Sequence, residues 1–320
     1  MLFTLLIIAV CFVAFTNGAN ANFKGVASLY GSGTTSLRVA LIWGTAMTFA
    51  GSATAPFVAK AIAKKFSGQD KGFVPEQLVK SESFVLAVAI GAACTSFLAT
   101  RFGFPVSTTH ALVGGLIGAG YAGAGSQVNL VPLGPTILLP LFISPAVAAI
   151  LGAIVYVILR SIHLAPDKRS RTLDVLHFLS TGAASFARGL NDTPKMAALF
   201  LVTSQLDIRW GYAAVAVMIL IGGLVDADKV AETLGKKVTE MNPGQGFAAS
   251  LVTATLVILA TLYGLPLSTT HVSVGSLLGI GVTTGQAKWK MVGEILLAWI
   301  STVPCGAVFA AVAYWLIKLI

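Results

Sequence analysis

Charged residues are scarce in this chain of 320 residues. Lys, Arg, Asp and Glu make up only 10% of it, whereas they fill about a quarter of the positions in an ordinary soluble domain. So few charges cannot cover a surface that faces water. Hydrophobic residues reach 56% of the chain, and the mean hydropathy is +0.86. The composition excludes an ordinary soluble domain and predicts a protein that crosses a membrane several times.

Cysteine is almost absent as well. The three cysteines, Cys11, Cys94 and Cys305, each lie in an apolar run without a partner at a characteristic spacing, which excludes a disulfide framework and a cysteine metal site. The sequence also lacks a P-loop, a metal-ligand spacing and a Ser/His/Asp order, so a membrane enzyme is the weakest interpretation. The net charge of +9 comes from Lys and Arg between the apolar stretches. That distribution is typical of membrane-flanking segments and argues against a nucleic-acid-binding face.

Long apolar stretches dominate what the chain does contain. They cover residues 2–16, 37–63, 83–121, 134–160, 173–187, 194–225, 246–283 and 291–319. A membrane span needs roughly 20 apolar residues. Two stretches are longer than one span and are interrupted by Gly-x-Pro, at residues 103–105 and 264–266. Each break leaves two short pieces, which predicts a broken helix or a re-entrant hairpin. The first stretch lacks a positively charged leader, so we expect a membrane segment rather than a cleaved signal peptide.

Two motifs occur twice, in the same order. Residues 104–110 read FPVSTTH and recur as LPLSTTH at 265–271, which is 161 positions later. Residues 18–24 and 189–195 share Gly, Asn and Lys in register, at an offset of 171 positions. This recurrence predicts an all-α polytopic membrane protein built from two homologous repeats, which we expect to be inverted. We assign residues 1–160 to the first repeat, 161–172 to a connecting loop and 173–320 to the second repeat, all within one membrane body.

The repeated Pro-x-Ser-Thr-Thr-His motif is a candidate anion site. Proline suits the first turn of a helix, where backbone N–H groups lack intrahelical partners and carry positive partial charge. Such a terminus suits phosphate or sulfate. We therefore predict that an oxyanion is bound by six hydroxyl residues: Ser107, Thr108, Thr109, Ser268, Thr269 and Thr270. The alternative is that these hydroxyls only cap helices or join them within the lipid.

Asp192 is the second candidate site residue, because it is an acid placed between apolar segments. An ionised Asp at mid-membrane costs on the order of 3 kcal/mol or more, so it marks an ion or proton site by default. We group with it three asparagines that offer the hard oxygen ligands Na⁺ prefers: Asn20, Asn22 and Asn191. The alternative is a helix cap at the membrane surface, paired with Arg188 or Lys195. For His110 and His271 we expect a structural role rather than a proton relay.

These residues resemble the PiT family of inorganic phosphate transporters, which carries a Gly-Ala-Asn-Asp type motif and then a Pro-x-Ser-Thr-Thr-His type motif in each half. The resemblance covers nearly the whole chain. It implies a multi-pass protein of the cell membrane (the inner membrane in a bacterium) that moves inorganic phosphate by symport with Na⁺ or H⁺. No other cofactor is implied. Phosphate ligands would map onto the two Ser-Thr-Thr clusters, and Na⁺ ligands onto Asn20, Asn191 and Asp192.

One position departs from the pattern. Ala21 stands where the family, and the second repeat of this chain at Asp192, has Asp. With one carboxylate fewer, we expect a shallower dependence on Na⁺ than in relatives with two. Transport of another oxyanion such as sulfate, or an uncoupled anion channel, is the alternative function. The sequence also leaves open whether the chain is a monomer or a homodimer.

Overall fold

The computed structural model describes residues 1–66, 73–165, 168–202, 206–227, 230–231, 233 and 241–319. Within these ranges the fold is all-α, as predicted. The first half contains α1 Leu2–Ala21, α2 Ala27–Gly31, α3 Leu37–Val58, α4 Lys60–Phe66, α5 Glu76–Val79, α6 Glu82–Arg101, α7 Thr108–Ala124 and α8 Leu139–Ser161. The second half contains α9 Arg171–Ala197, α10 Ile208–Val225, α11 Pro243–Leu262, α12 Thr269–Thr283 and α13 Trp289–Lys318. A single 3₁₀ turn, Asn22–Gly25, joins α1 to α2. Residues 166–167 of the predicted connecting loop lie outside the described ranges.

Six of the described helices are long and apolar enough to cross a membrane: α1, α6, α8, α10, α11 and α13. The surface is strongly apolar, with large side chains such as Phe57, Leu297 and Ile300 more than 65% exposed. Polar side chains such as Thr48 and Asn191 are instead completely buried. A fold that exposes apolar groups and buries polar ones is stable in lipid rather than in water. The chain is therefore a multi-pass membrane protein.

The two predicted interruptions are confirmed, and each separates a pair of helices. Gly103 (φ 74°) lies between α6 and α7, and Gly264 (φ 64°) lies between α11 and α12. Glycine is favoured there because positive φ is costly for residues with a Cβ. In both pairs the two helices pack against each other. With 17 and 15 residues, α7 and α12 are too short for a full span of about 20 residues. The breaks thus create hairpins that bring helix starts into the protein.

One helix differs from the expectation. The sequence suggests that Asp192 separates two apolar segments, but α9 runs without interruption from Arg171 to Ala197 and contains Asp192 in its last two turns. Its hydropathy is lowered by charged and hydroxyl side chains. The charged side chains near its end, Arg188, Asp192 and Lys195, are buried and bond to groups on neighbouring segments or to one another, so the helix continues. The alternative of a helix cap at the membrane surface is wrong for Asp192.

Helices of one half pack on helices of the other half, and these contacts form equivalent pairs. Helix α3 packs on α9 as α10 packs on α1, and α7 packs on α13 as α12 packs on α8. Close approach depends on glycine. A side chain at Gly51 would collide with the carbonyl oxygen of Phe186, and one at Gly222 would collide with that of Phe15. Both pairs of positions differ by 171, the offset of the repeated Gly-Asn-Lys motif. The halves are therefore interleaved, and their motifs meet inside one body.

Candidate functional site

Four charged side chains are buried in the described part of the chain, and all four lie in one cluster. They are Lys24, Arg188, Asp192 and Lys195, each 5% exposed or less. Lys24 belongs to the 3₁₀ turn after α1, and the other three follow one another along the end of α9. Burying charge in lipid is costly without hydrogen-bond partners or compensating charge. This cluster is therefore the candidate functional site.

The Lys24 ammonium is fully engaged by oxygen atoms. Nζ donates to Asn20 Oδ1 at 3.0 Å, to the Val106 carbonyl at 2.6 Å and to Thr270 Oγ1 at 2.6 Å. These three acceptors match the three donors of an ammonium group. Val106 directly precedes the Ser-Thr-Thr cluster of the first half, whereas Thr270 ends the cluster of the second half. Lys24 thus ties the two halves together at their motifs.

Lys195 repeats this arrangement from the other half. Its Nζ donates to Asp192 Oδ1 at 3.0 Å, to the Leu267 carbonyl at 2.7 Å and to Thr109 Oγ1 at 2.9 Å. Leu267 and Thr109 are the repeat equivalents of Val106 and Thr270, at the 161-position offset. Each lysine therefore donates hydrogen bonds to the carbonyl that precedes the cluster of its own half and to the last threonine of the opposite cluster. The two ammonium sites are related by the sequence repeat.

Arg188 supplies the third buried cation. Its two terminal nitrogens donate to Asn22 Oδ1 and Asn17 Oδ1, both at 2.7 Å. Its Nε lies 3.9 Å from Asp192 Oδ2. Asn17 in turn donates from Nδ2 to Thr108 Oγ1 at 2.8 Å. The guanidinium is thus connected to the first Ser-Thr-Thr cluster through an amide. Asn22, predicted as a cation ligand, has its side-chain oxygen occupied by this guanidinium.

The serines and threonines of the two clusters have different roles. Ser107 and Ser268 accept hydrogen bonds from the backbone N–H groups of His110 and His271 at 3.3 and 3.2 Å. They are the N-caps of α7 and α12, so for the two serines the structure agrees with the alternative that these hydroxyls cap helices. The threonines face the charges instead. In addition to the contacts of Thr109 and Thr270 with the lysines, Thr269 Oγ1 donates to Asp192 Oδ2 at 3.2 Å. All six predicted hydroxyl residues are buried around the cluster.

Asn20 and Asn191 support the two helix breaks. The Nδ2 groups donate to hydroxyls one turn before each break, Asn20 to Thr100 at 3.0 Å and Asn191 to Thr261 at 2.8 Å. Their oxygens differ. Asn20 Oδ1 accepts from Lys24, whereas Asn191 Oδ1 is buried without a hydrogen-bond partner among the described residues. The predicted Na⁺ ligands are thus divided between two equivalent places, and two of them face ammonium groups.

The two motif histidines meet between the halves. Their ring centroids are 4.6 Å apart, and the His271 ring stacks on Trp299 at 3.9 Å. His271 Nδ1 lies 2.9 Å from the Leu141 carbonyl, a hydrogen bond of the expected structural kind. The ring nitrogens of His110 have no hydrogen-bond partner in the described ranges. Packing of the rings, rather than a chain of hydrogen bonds, is what the histidines contribute to the site.

Sequence reasoning missed the buried cations as site residues. Lys24 and Lys195 match in the repeat alignment, and that is the signal that could have found them. Arg188 and Lys195 entered only as surface partners of Asp192. The pairing is real, but it is buried. No feature of the sequence singles out Asn17, the repeat equivalent of Arg188, as a site residue. Lysine is ordinarily assigned to polar connectors, so composition alone points away from a buried ammonium group.

The cluster as a whole carries excess positive charge. Three cations and one carboxylate leave two formal positive charges in a region closed to water. Hydroxyl groups of both Ser-Thr-Thr clusters contact these charges, and α7 and α12 begin at the same clusters. Hydroxyl donors and helix N-termini both favour negative charge. A buried excess of this size is compensated best by an anion of opposite charge. The arrangement can therefore hold a small divalent oxyanion.

Comparison with known proteins agrees with this chemistry. A family model described as "Phosphate transporter family" matches residues 17–173 and 164–310. The chain is 31% identical to a "Probable low-affinity inorganic phosphate transporter" of Mycobacterium leprae, over all of this chain and 79% of that protein. It is 28% identical to one of the same description from Bacillus subtilis, over 100% of this chain and 99% of that one. A solved structure described as "The sodium-dependent phosphate transporter" shares the fold, with a TM-score of 0.86 and 23% identity over 100% and 99% of the two chains.

Proposed function

This chain belongs to the phosphate transporter family, and on that premise we propose that it is a symporter that moves inorganic phosphate across a membrane together with Na⁺ or H⁺. Family membership makes the protein a membrane transporter rather than an enzyme. The observation that carries it is the cluster in which two Ser-Thr-Thr motifs surround Lys24, Lys195 and Arg188.

Phosphate would bind between the two helix starts. Both halves contribute threonine hydroxyls and the helix starts of α7 and α12, and the two ammonium groups, whose hydrogen bonds go to protein oxygens, add positive charge. Hydrogen bonds from charged or oriented donors to an ionised oxygen are stronger than those between neutral groups. A tetrahedral anion has enough acceptor positions to use donors from both sides at once. Donors placed on both sides of the site therefore favour a tetrahedral oxyanion over a planar carboxylate.

Asp192 favours phosphate over sulfate. Its carboxylate can only accept hydrogen bonds when ionised, and Oδ2 lies within 3.2 Å of Thr269 Oγ1 at the edge of the site. Hydrogenphosphate carries an O–H that can donate to such an acceptor, whereas sulfate at neutral pH has none. Sulfate would therefore offer no hydrogen-bond donor to this carboxylate. This difference supports phosphate as the substrate.

The interleaved halves support transport by rocking of one repeat against the other. Two broken helices in corresponding positions of two repeats are typical of transporters whose site lies at the repeat interface. Here the breaks before α7 and α12 lie at the charge cluster, and each lysine bonds to both halves. A relative movement of the halves would exchange those bonds and open the site on one side at a time. We expect the repeats to have inverted topology.

The coupling ion is the second part of the proposal. Asn191 Oδ1 is buried and unpaired within the described residues, which suits a cation ligand, and Asp192 follows it directly. Asn20 is the repeat equivalent of Asn191, but its side-chain oxygen accepts from Lys24. The structural neighbour is described as sodium-dependent, which is said of that protein and makes Na⁺ the first ion to test. The alternative driving ion is H⁺.

Uptake into proteoliposomes tests the proposal. Labelled phosphate and labelled sulfate would be offered with an inward Na⁺ gradient and an inward pH gradient, each imposed separately. We expect phosphate to accumulate above its equilibrium level with at least one gradient, and sulfate to be taken up much more slowly. Uptake that only equilibrates under both gradients would indicate an uncoupled channel. Equal rates for the two anions would indicate a general oxyanion permease.

A further inference from the structure

The two buried lysines occupy places of the kind that coupling cations take. Each Nζ is surrounded by a main-chain carbonyl, a threonine hydroxyl and the side-chain oxygen of Asn20 or Asp192, at 2.6 to 3.0 Å. Carbonyl, hydroxyl and carboxylate oxygens are also the ligands of hard metal cations. Asn20 and Asp192 are the residues for which a Na⁺ role is expected. Their oxygens are instead directed at positive charges that the chain itself provides.

The equivalence of the two lysines indicates that this is a built feature of the site rather than a chance contact. Lys24 lies four residues after Asn20, and Lys195 lies four residues after Asn191. Both bond to the carbonyl before their own Ser-Thr-Thr cluster and to the last threonine of the opposite one. The halves differ only in the third acceptor, since Ala21 replaces the counterpart of Asp192. Lys24 consequently has an amide oxygen where Lys195 has a carboxylate.

The contrast between an amide oxygen at Lys24 and a carboxylate at Lys195 determines how much positive charge is left to interact with the anion. Lys195 and Arg188 share one carboxylate, while no carboxylate contacts Lys24 among the described residues. Lys24 is 3% exposed, so bulk water does not solvate its charge either. The positive charge of this ammonium is therefore available to a bound oxyanion. It is covalently attached, so it is present whatever the external Na⁺ concentration.

We infer that the ammonium groups of Lys24 and Lys195 are built-in cations that replace two bound Na⁺ ions, so that this protein binds phosphate without Na⁺ at those two places. This inference rests on the proposed function, because it concerns the same anion site. The two lysines then determine how much of the charge that binds the anion is internal to the chain. The transported cation acts at another place, for which Asn191 Oδ1 is the unpaired candidate within the described residues.

Lys24→Ala tests the inference, because it removes the ammonium group and leaves its three oxygen ligands around a space that Na⁺ can enter. Binding of inorganic phosphate to the purified full chain would be measured in choline buffer and again with NaCl at the same ionic strength. For the unmodified chain we expect affinities within about threefold of each other in the two buffers. For Lys24→Ala we expect a loss of about tenfold or more in choline, with recovery on addition of Na⁺, since a buried positive charge near the anion is lost and Na⁺ replaces it.

Controls separate folding from charge. Lys290→Ala removes an exposed lysine at the start of α13 and should behave as the unmodified chain. Lys24→Gln keeps a hydrogen-bonding side chain without the charge. It should also lose phosphate binding in the absence of Na⁺, and it replaces Lys24→Ala in the test if that variant does not fold. Thermal unfolding of each variant reports folding directly. Addition of methylammonium should restore phosphate binding to Lys24→Ala, because it supplies the missing group.

The outcomes distinguish this inference from the proposed function. If the unmodified chain binds phosphate only when Na⁺ is present, the two lysines do not replace Na⁺ and the inference is wrong, whereas the proposal of phosphate transport is unaffected. If a folded Lys24→Ala or Lys24→Gln variant binds phosphate in choline as well as the unmodified chain, or loses binding that neither Na⁺ nor methylammonium restores, the inference is overturned. If the unmodified chain binds no phosphate in either buffer, the proposed function itself fails.

Discussion

Asp192 is the only buried carboxylate in the described part of the chain, and it faces two cations. Lys195 Nζ lies 3.0 Å from Oδ1, and Arg188 Nε lies 3.9 Å from Oδ2. The sequence alone predicts that Asp192→Asn stops coupled transport and leaves the fold intact. The structure changes the second half of that expectation. Removing one partner of a buried ion pair leaves the other charge uncompensated, which is costly.

We therefore predict that Asp192→Asn abolishes phosphate uptake and lowers the free energy of unfolding by about 3–5 kcal/mol. Thermal unfolding in detergent and uptake into proteoliposomes measure the two effects. Glu76→Gln is the matched control, because Glu76 pairs with Lys80 on the surface and should change neither. If the Asp192→Asn variant has unchanged stability and unchanged ion dependence, Asp192 is not part of the site.

The threonines, rather than the serines, are expected to determine phosphate affinity. Ser107 and Ser268 already use their hydroxyls as helix caps, so Ala at these positions should cost about 1 kcal/mol of stability. Thr108→Val removes the hydroxyl that accepts from Asn17, whose amide oxygen bonds to Arg188. Thr269→Val removes the hydroxyl that donates to Asp192. Each should weaken phosphate binding by about 1.5–3 kcal/mol, as expected for a buried hydrogen bond to a charged group.

Isothermal titration with phosphate measures this difference. Thr54→Val is the control, because the Thr54 hydroxyl donates only to the Ala50 carbonyl within α3, away from the cluster. It should leave phosphate affinity unchanged. If Thr108→Val and Thr269→Val both bind phosphate as tightly as the unmodified chain, the anion does not bind between the two helix starts.

Helix contacts through glycine hold the two halves together. At Gly222 a Cβ would meet the carbonyl oxygen of Phe15 on α1, and main-chain atoms cannot move aside as a flexible side chain can. We predict that Gly222→Ala destabilises the protein by about 1–3 kcal/mol, the usual cost of overpacking. Because α1 carries Asn17 and Asn20, the shift should also reduce phosphate affinity.

Gly293→Ala is the matched comparison within another long helix. A Cβ at Gly293 meets no heavy atom within 4 Å, so the change should stabilise α13 slightly through its higher helix propensity. The melting temperatures of the two variants should therefore move in opposite directions. A Gly222→Ala variant that melts with or above the unmodified chain would show that α1 and α10 do not approach as closely as described.

The charge of the whole site depends on a difference between the halves. Asp192 lies three residues before Lys195, and Ala21 lies three residues before Lys24. Ala21 is 1% exposed, so an Asp at this position would be buried beside the Lys24 ammonium group. It would neutralise one of the two excess positive charges. An anion would then need an external cation to replace the lost charge.

We predict that Ala21→Asp makes phosphate binding depend more steeply on Na⁺ concentration. Phosphate affinity measured against NaCl, at constant ionic strength, gives the slope for each chain. The double variant with Asp192→Asn should differ from the sum of the two single effects, because both carboxylates act on one cluster. Superimposable curves for Ala21→Asp and the unmodified chain would place position 21 outside the cation site.

The breaks, the helix starts and the equivalence of the halves follow from local chemistry and could be predicted from the chain alone. Proline lacks an N–H, glycine reaches positive φ at Gly103 and Gly264, and Ser107 and Ser268 cap the next helix. Each effect acts within a few residues. The membrane location follows from composition, and the two motifs are visible by comparison of the halves. The Ser-Thr-Thr clusters that begin at Ser107 and Ser268 are buried in the structure, and their role in binding an anion stays a prediction.

Tertiary packing alone decided which groups surround the charges. A repeat alignment shows that Lys24 and Lys195 are equivalent, but not that each bonds to the opposite half's threonine, because that contact joins residues 246 and 86 positions apart. Hydropathy likewise ends an apolar stretch at residue 187 and begins the next at 194, whereas burial against other helices lets α9 continue through Asp192. The cost of burying an ammonium group depends on the acceptors around it. Those acceptors come together only when the two halves are interleaved.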